Sequence, residues 1–95
     1  MAEKRKVLHY RVSIQGVWGR KRKKDFATFL LLKDVDPATP KTTEELMPIF
    51  RAKLAAIGAK PGSHVRLYEC PIETDGVFET YVLYSDRELH REVLG

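Results

Sequence analysis

The stretch "VLHYRVSIQGVW", residues 7–18, decides the fold class because it holds the clearest strand pattern in the chain. Large apolar side chains occupy even-numbered positions along it, namely Leu8, Tyr10, Val12, Ile14 and Trp18. A period of two predicts a β-strand with one face turned to a core. The residues between these positions are then expected to face away from that core.

A second strand is predicted in "FATFLLLKDV", residues 26–35, which is rich in aromatic and aliphatic side chains. Its apolar residues fall at both parities, which is typical of a central strand or of a strand covered on both faces. Residues 19–25 then join the two strands as a hairpin loop. Gly16 and Gly19 give the backbone freedom near that turn.

An amphipathic helix is predicted over residues 43–58. Thr42 or Thr43 caps its N-terminus, and the acidic pair that follows suits the positively polarised first turn. Apolar residues then recur at spacings of three and four, namely Leu46, Met47, Phe50, Leu54 and Ile57. This spacing forms one apolar face that can pack on a sheet, and Gly58 marks the end of the helix.

Two further strands are predicted, in "HVRLYEC" (residues 64–70) and "VFETYVLYS" (residues 77–85). The Asp75-Gly76 pair between them is a strong signal for a hairpin turn. Ser85 and Glu88 fit a capping box, which predicts a short C-terminal helix in the last ten residues.

The element order predicts one α+β domain spanning residues 1–95, with residues 1–6 and 19–25 expected to be flexible and basic. Two hairpins can bury one helix if all four strands form one sheet. The expected architecture is a ββαββ, β-grasp-like roll. Its four-stranded mixed sheet has the order 2-1-4-3, with the first and last strands parallel in the middle and the short C-terminal helix added. Apolar residues expected to reach the second sheet face, under that helix or a partner subunit, are drawn from Phe29, Leu31, Tyr81 and Leu83.

The segment "TTEELMPIFRAKLAAIGAKPGSHVRLYEC", residues 42–70, resembles the helix-to-third-strand part of ubiquitin-like domains, including Ras-association domains. The resemblance lies in the Thr-Glu-Glu-Leu opening, the amphipathic helix, the glycine-containing turn and the "LYE" strand. It implies a non-catalytic β-grasp interaction domain that meets an acidic partner along a basic second strand. In this chain the cations precede that strand.

Charge is segregated along the chain, which carries 17 basic and 13 acidic residues and a net charge of +4. Residues 1–24 hold nine basic residues and one acidic residue, whereas residues 25–95 hold eight basic and twelve acidic residues. Five cations are consecutive, Arg20–Lys24. Such a segment is either a solvated hairpin tip, a nucleic-acid contact or a contact for a protein surface or import receptor.

The partner predicted first is nucleic acid, DNA or RNA, held through its phosphate backbone. The alternative is a protein-interaction module, or a small regulator or inhibitor, that binds an acidic protein surface, and the second sheet face offers a contact for a homo-oligomer. The candidate contact residues are Arg20, Lys21, Arg22, Lys23, Lys24, Lys4, Arg5, Lys6, Arg11 and Trp18. The indole of Trp18 either belongs to the core edge or stacks on a base.

No catalytic or metal-binding constellation is recognisable in the sequence. His9, His64 and His90 lack the Cys/His spacing of a zinc site and are expected at the surface. Cys70 is expected to be an inert packed thiol, since no histidine partner accompanies it in a known pattern. We therefore predict a binding protein without cofactors rather than an enzyme, with a small enzyme as the alternative.

The sequence also predicts a compartment. No apolar run approaches the length of a membrane span, the N-terminus lacks the features of a secretory signal, and a single cysteine cannot form an internal disulfide. We expect a cytoplasmic protein without a membrane partner. In a eukaryotic source the basic segment also fits nuclear import.

Overall fold

The computed structural model describes residues 5–16, 26–75, 79–81 and 86–95. These residues form, in order, β1 (Arg5–Gln15), β2 (Phe26–Val35), α1 (Thr43–Ala56), β3 (His64–Thr74), β4 (Glu79–Tyr81) and β5 (Arg87–Val93). The helix packs on one face of a single antiparallel sheet. The predicted α+β class is confirmed.

β1 and β3 form the centre of this sheet. They pair along their whole length, from Arg5 opposite Thr74 to Gln15 opposite His64. β2 pairs with the other edge of β1, while β4 and β5 share the outer edge of β3. β2 and β3 therefore run parallel to each other on either side of β1, and α1 is the crossover connection between them.

The strand order differs from the expected β-grasp-like roll. That roll required a mixed sheet in which the first and last strands are parallel neighbours. Instead, β3 takes the place beside β1, and every strand pair among the described residues is antiparallel. β1 and β3 are both eleven residues long, so their full-length pairing satisfies more backbone groups than a shorter final strand would.

The prediction of a C-terminal helix over residues 86–95 is wrong. β5 occupies Arg87–Val93 and pairs antiparallel with β3. An unpaired edge of β3 would expose a row of backbone donors and acceptors, and β5 satisfies them. This tertiary contact outweighs the local helix preference that the pattern of Ser85 and Glu88 indicated.

β3 extends beyond the predicted segment 64–70 and continues through Pro71 to Thr74. β5 pairs with it as far as Glu69, and β4 pairs with it from Ile72 onward. Proline has no N–H to donate, and Pro71 lies at the gap between these two partners. The β3–β4 pairing is the hairpin that the sequence predicts after this strand.

β1 is buried on both faces. The residues that pack into the core under α1 are those predicted from the strand pattern, namely Leu8, Tyr10, Val12 and Ile14. From the opposite parity, Val7, His9 and Ser13 are only 2%, 1% and 6% exposed. The expected surface position of His9 is therefore wrong, because the second face of β1 is also covered.

β2 is an edge strand of the described sheet, whereas its composition suggested a central strand or one covered on both faces. Two irregularities interrupt its pairing with β1, and Asp34 there adopts a left-handed φ of 59°. Bulges shift side chains from one face to the other. They explain the apolar residues at both parities, since Leu31 and Leu32 both pack against the core while Leu30 is exposed.

The helix α1 has a hydrogen-bonded cap at each end, and its prediction is confirmed. The N-cap Thr42 accepts a bond from the N–H of Glu45 at 3.2 Å, and the Glu45 carboxylate accepts from the N–H of Thr42 at 3.3 Å. After the helix, Gly58 adopts a φ of 74° and donates to the carbonyl of Ala55 at 3.1 Å. The buried side chains of the helix are Leu46, Phe50 and Leu54.

Candidate nucleic-acid interface

The structure describes only some of the residues predicted to contact a partner. Those outside the described residues are Lys4, Trp18, Arg20, Lys21, Arg22, Lys23 and Lys24. Arg5, Lys6 and Arg11 lie on β1. The strand thus begins inside the segment 1–6 that was expected to be flexible.

β1 separates Arg5 and Lys6 from the ends of the basic connection. Arg5 and Lys6 are exposed at the start of the strand, while Gln15 pairs with Phe26 at its other end. A rise of about 3.3 Å per residue places Arg5 about 33 Å from Gln15. The connection that carries Arg20–Lys24 leaves and rejoins the sheet at the Gln15 end, so these two described cations lie at the opposite end of the sheet.

Arg5 and Lys6 have acidic neighbours that weaken their attraction for an anion. Both side chains line a surface pocket together with Asp34 and Asp36. Nearby carboxylates lower the local positive potential and repel phosphate. This end of the sheet is therefore a poorer anion contact than its positive charges alone suggest.

Arg11 is held within the sheet by side chains on the face opposite α1. Its Nη2 donates to Oδ2 of Asp86. Its Cζ lies 5.3 Å from the ring centroid of Tyr68. Because the Asp86 carboxylate already neutralises this guanidinium, Arg11 offers a weaker phosphate contact than an unpaired arginine.

We call the sheet face opposite α1 the open face, since the helix of the described residues packs on the other side. Directly opposite residues in antiparallel strands share a face. Arg11 is opposite both Leu30 and Tyr68, and Ser13 is opposite Arg66. Among the described residues, the large apolar side chains exposed on this face are Phe26, Leu30 and Val93, at 56%, 50% and 56%.

The open face has an exposed half, which adjoins the Gln15–Phe26 end of the sheet. Arg66 occupies the centre of this half. Its Cζ lies 5.9 Å from the ring centroid of Phe26, and its Nη1 donates to the hydroxyl of Tyr68 at 3.4 Å. The hydrogen bond to Tyr68 raises the pKa of Arg66, so the guanidinium keeps its charge. Phe26, Arg66, Tyr68 and Arg11 thus form a row in which aromatic rings and guanidinium groups alternate across three strands.

A single carboxylate joins two arginines beside this row. Arg91 donates from Nε and Nη2 to Oε1 of Glu88, at 3.1 and 3.0 Å. The same oxygen lies 3.8 Å from Nε of Arg66. Together with the Arg11–Asp86 pair, the exposed half of the open face has three arginines and two carboxylates among its described residues, and so an excess of positive charge.

The other half of the open face is buried and has different chemistry. His9 and Cys70 are opposite each other, at 1% and 0% exposed. Nε2 of His9 lies 3.6 Å from Oδ1 of Asp34, and neither ring nitrogen of His9 has a hydrogen-bond partner among the described residues. Burial raises the pKa of the Cys70 thiol to about 12. The thiol is therefore protonated near neutral pH and is a poor nucleophile.

The ranges of the chain that the structure describes contain neither a cluster of potential metal ligands nor a helix that could cross a membrane. No three side chains of His, Cys, Asp or Glu in those ranges are arranged to hold a metal ion. No helix in them is both long and apolar enough to cross a membrane.

The sequence pattern did not predict the row on the open face. It assigned Phe29 and Leu31 as candidates for that face, but both pack against the core under α1. The side chains of the other two candidates, Tyr81 and Leu83, lie outside the described part of the structure. The alternation of Arg66 and Tyr68 with buried neighbours indicates a shared face, but only the strand register places Phe26 beside them.

Comparisons with known proteins identify no relative of this chain. No protein-family model matches it, and neither a curated protein nor a solved structure matches it. A functional proposal therefore depends on the charge distribution and the geometry of the open face.

Proposed function

We propose that this protein is a non-catalytic module that binds nucleic acid, DNA or RNA, through its phosphate backbone. In this proposal the cations Arg20–Lys24 are the main contacts, and Arg66 and Arg91 extend them. The observation that carries the proposal is the pairing of Gln15 with Phe26, which anchors both ends of the basic connection beside the exposed half of the open face.

Electrostatics supports an anionic polymer as the partner. Five adjacent cations repel one another, and the first 24 residues carry nine basic residues against one acidic residue. A polyanion relieves this repulsion at several positions at once and releases its condensed counterions on binding. A small anion would neutralise only part of the segment.

The charge and burial of α1 support contact with the phosphate backbone of the nucleic acid rather than with base edges in a groove. A recognition helix usually approaches DNA with its N-terminal residues. The first turn of α1 carries Glu44 and Glu45, which would repel phosphates, and its apolar side is buried against the sheet. We therefore expect the affinity of the protein for nucleic acid to depend little on base sequence.

The test is fluorescence anisotropy with labelled single-stranded and double-stranded DNA and RNA, between about 50 and about 200 mM salt. If each of the five cations meets a phosphate, the log–log slope of affinity against salt is about −4, and affinity falls about 250-fold across this range. Replacing Arg20–Lys24 with alanine should remove most of the binding.

Two charge-matched variants sharpen the test. One replaces Arg22, Lys23 and Lys24 with alanine, and the other replaces Lys4, Arg5 and Lys6. Both remove three positive charges, but the first acts on the connection and the second on the far end of β1. We expect the first to flatten the salt slope by about 2 to 3 and the second to leave it nearly unchanged. Absence of binding to every probe at about 50 mM salt would contradict the proposal.

A second candidate is an interaction module for an acidic protein surface. The exposed apolar side chains Phe26, Leu30 and Val93 favour it, since protein interfaces combine apolar centres with arginine. The resemblance of residues 42–70 to Ras-association domains points the same way. Binding to one protein with a flat salt response, and no binding to nucleic acid, would support this candidate, whereas concentration-dependent self-association would support a homo-oligomer through the open face.

A further inference from the structure

We infer that the open face stacks the unpaired bases of a single strand on Phe26, so that the ligand is single-stranded rather than duplex nucleic acid. This inference rests on the proposed function and specifies its ligand.

Phe26 is placed to receive a base. It is the first residue of β2, it lies opposite Gln15 at the root of the basic connection, and its side chain is 56% exposed. A strand with a phosphate on Arg66, whose guanidinium lies 5.9 Å from the centroid of this ring, has its bases within reach of Phe26. Stacking of one base on an aromatic side chain contributes about 1–3 kcal/mol and tolerates any base, because every base has a π-face.

The neighbours of Phe26 extend the stacking surface. The guanidinium of Arg66 approaches its ring at 5.9 Å and bonds the hydroxyl of Tyr68 at 3.4 Å. Planar guanidinium groups stack on bases as aromatic rings do and add a cation–π attraction. The row is therefore held in place before any ligand arrives, which lowers the entropy cost of binding.

The charge of the exposed half of the open face selects among occupants. This half has three arginines, Arg11, Arg66 and Arg91, and two carboxylates, Asp86 and Glu88, among its described residues. A second copy of the chain would bring a surface with the same excess of positive charge, which costs electrostatic energy. A polyanion with flat apolar bases matches both the charge and the exposed ring. Bases inside a duplex are already stacked and cannot reach the ring.

The test compares Phe26→Ala with Leu30→Ala, which removes a similarly exposed apolar side chain from the same strand and face. The probes are labelled oligothymidylate of about 15 nucleotides and its duplex with oligoadenylate. We expect Phe26→Ala to weaken single-strand binding about tenfold and to leave duplex binding and the salt slope unchanged. Leu30→Ala should change neither probe by more than about twofold, and Phe26→Tyr should restore single-strand binding.

The outcomes separate this inference from the proposed function. Absence of binding to both probes would overturn the inference, and absence of binding to the RNA probes as well would overturn the proposed function. Equal binding to both probes with no effect of Phe26→Ala would leave the proposed function standing and overturn the inference. If Phe26→Ala weakened the binding of both probes equally, the inference would also be overturned, because Phe26 would then support the fold or a contact common to both probes. A thermal unfolding curve of each variant identifies a folding defect, and the Phe26→Tyr variant then decides.

Discussion

The two faces of the sheet use the same strands for opposite purposes. Under α1, residues such as Val12 and Leu67 are fully buried and contribute to stability by leaving water. On the exposed half of the open face, Arg66 and Phe26 remain in contact with solvent and contribute little to folding. Towards the Gln15–Phe26 end of the sheet, parity along β1 and β3 therefore separates the side chains that specify the fold from those that are available to a ligand.

The open face is itself divided, and this division limits where a ligand can bind. His9 and Cys70 are as deeply buried as the core under α1. Arg66 and Tyr68 lie nearer the start of the same strand than Cys70 does, and they keep partial exposure. A site on this face is therefore confined to the half that adjoins the Gln15–Phe26 end of the sheet.

The largest effect we expect comes from exchanging one phenylalanine on each face for alanine. Phe50→Ala should lower the free energy of unfolding by about 3–5 kcal/mol, because it empties a fully buried position between α1 and the sheet. Phe26→Ala should change it by less than about 1 kcal/mol, because the ring is already half exposed. Urea unfolding followed by circular dichroism measures both values. Similar losses for the two variants would show that Phe26 belongs to the core and that the faces do not differ.

A second prediction concerns the buried half of the open face. Burial raises the pKa of the Cys70 thiol from 9.0 to about 12 in the folded protein. The folded state then holds the proton more tightly than the unfolded state, so the stabilisation is complete below pH 9 and is lost as pH rises towards 12. The loss is at most about 4 kcal/mol.

Measuring unfolding of the native chain and of Cys70→Ala across this alkaline range isolates the thiol. We expect the native chain to lose its stability advantage over the variant as pH rises, while the difference stays constant near neutral pH. A thiol reagent at neutral pH should also label the folded chain much more slowly than the urea-unfolded chain. Rapid labelling of the folded chain would mean that Cys70 is accessible and that this half of the face is not closed.

Local patterns predicted the elements whose partners lie close in sequence or whose periodicity is strong. Alternation predicted β1, and the threonine cap with spacing of three and four predicted α1. The last segment was predicted as a helix because its local signals are helical, yet the unpaired edge of β3 determines its structure. The choice between a β-grasp order and the observed one depends on which strand pairs with β1, and no local signal encodes a contact between residues as distant as Arg5 and Thr74.

The candidate site shows the same limit. Five consecutive cations are explicit in the sequence, and they predict an anionic partner such as nucleic acid. The row on the open face is invisible there, because Phe26 and Arg66 are 40 positions apart and meet only through the register of three strands. Leu30 and Leu31 still follow the alternation that begins at Phe26, but the bulge after Leu30 places Leu32 in the core beside Leu31.

The smallest effect we expect distinguishes two ion pairs on the open face. Arg11 and Asp86 are 28% and 34% exposed, whereas Arg91 and Glu88 are 63% and 33% exposed. Double-mutant cycles to alanine, measured by urea unfolding, should give a coupling of about 1 kcal/mol for the first pair and below about 0.5 kcal/mol for the second. High salt should weaken the second coupling more than the first, because screening acts mainly on exposed charges.

The same variants connect stability to binding. Asp86→Ala releases the guanidinium of Arg11 from its carboxylate and leaves it beside Tyr68 in the row. We expect this variant to be slightly less stable and to bind single-stranded nucleic acid a few-fold more tightly, since one more cation is then available to a phosphate. Arg11→Ala should not show this gain. If Asp86→Ala weakened binding instead, the ion pair would be part of the contact surface, and the exposed half of the open face would depend on its carboxylates as well as its arginines.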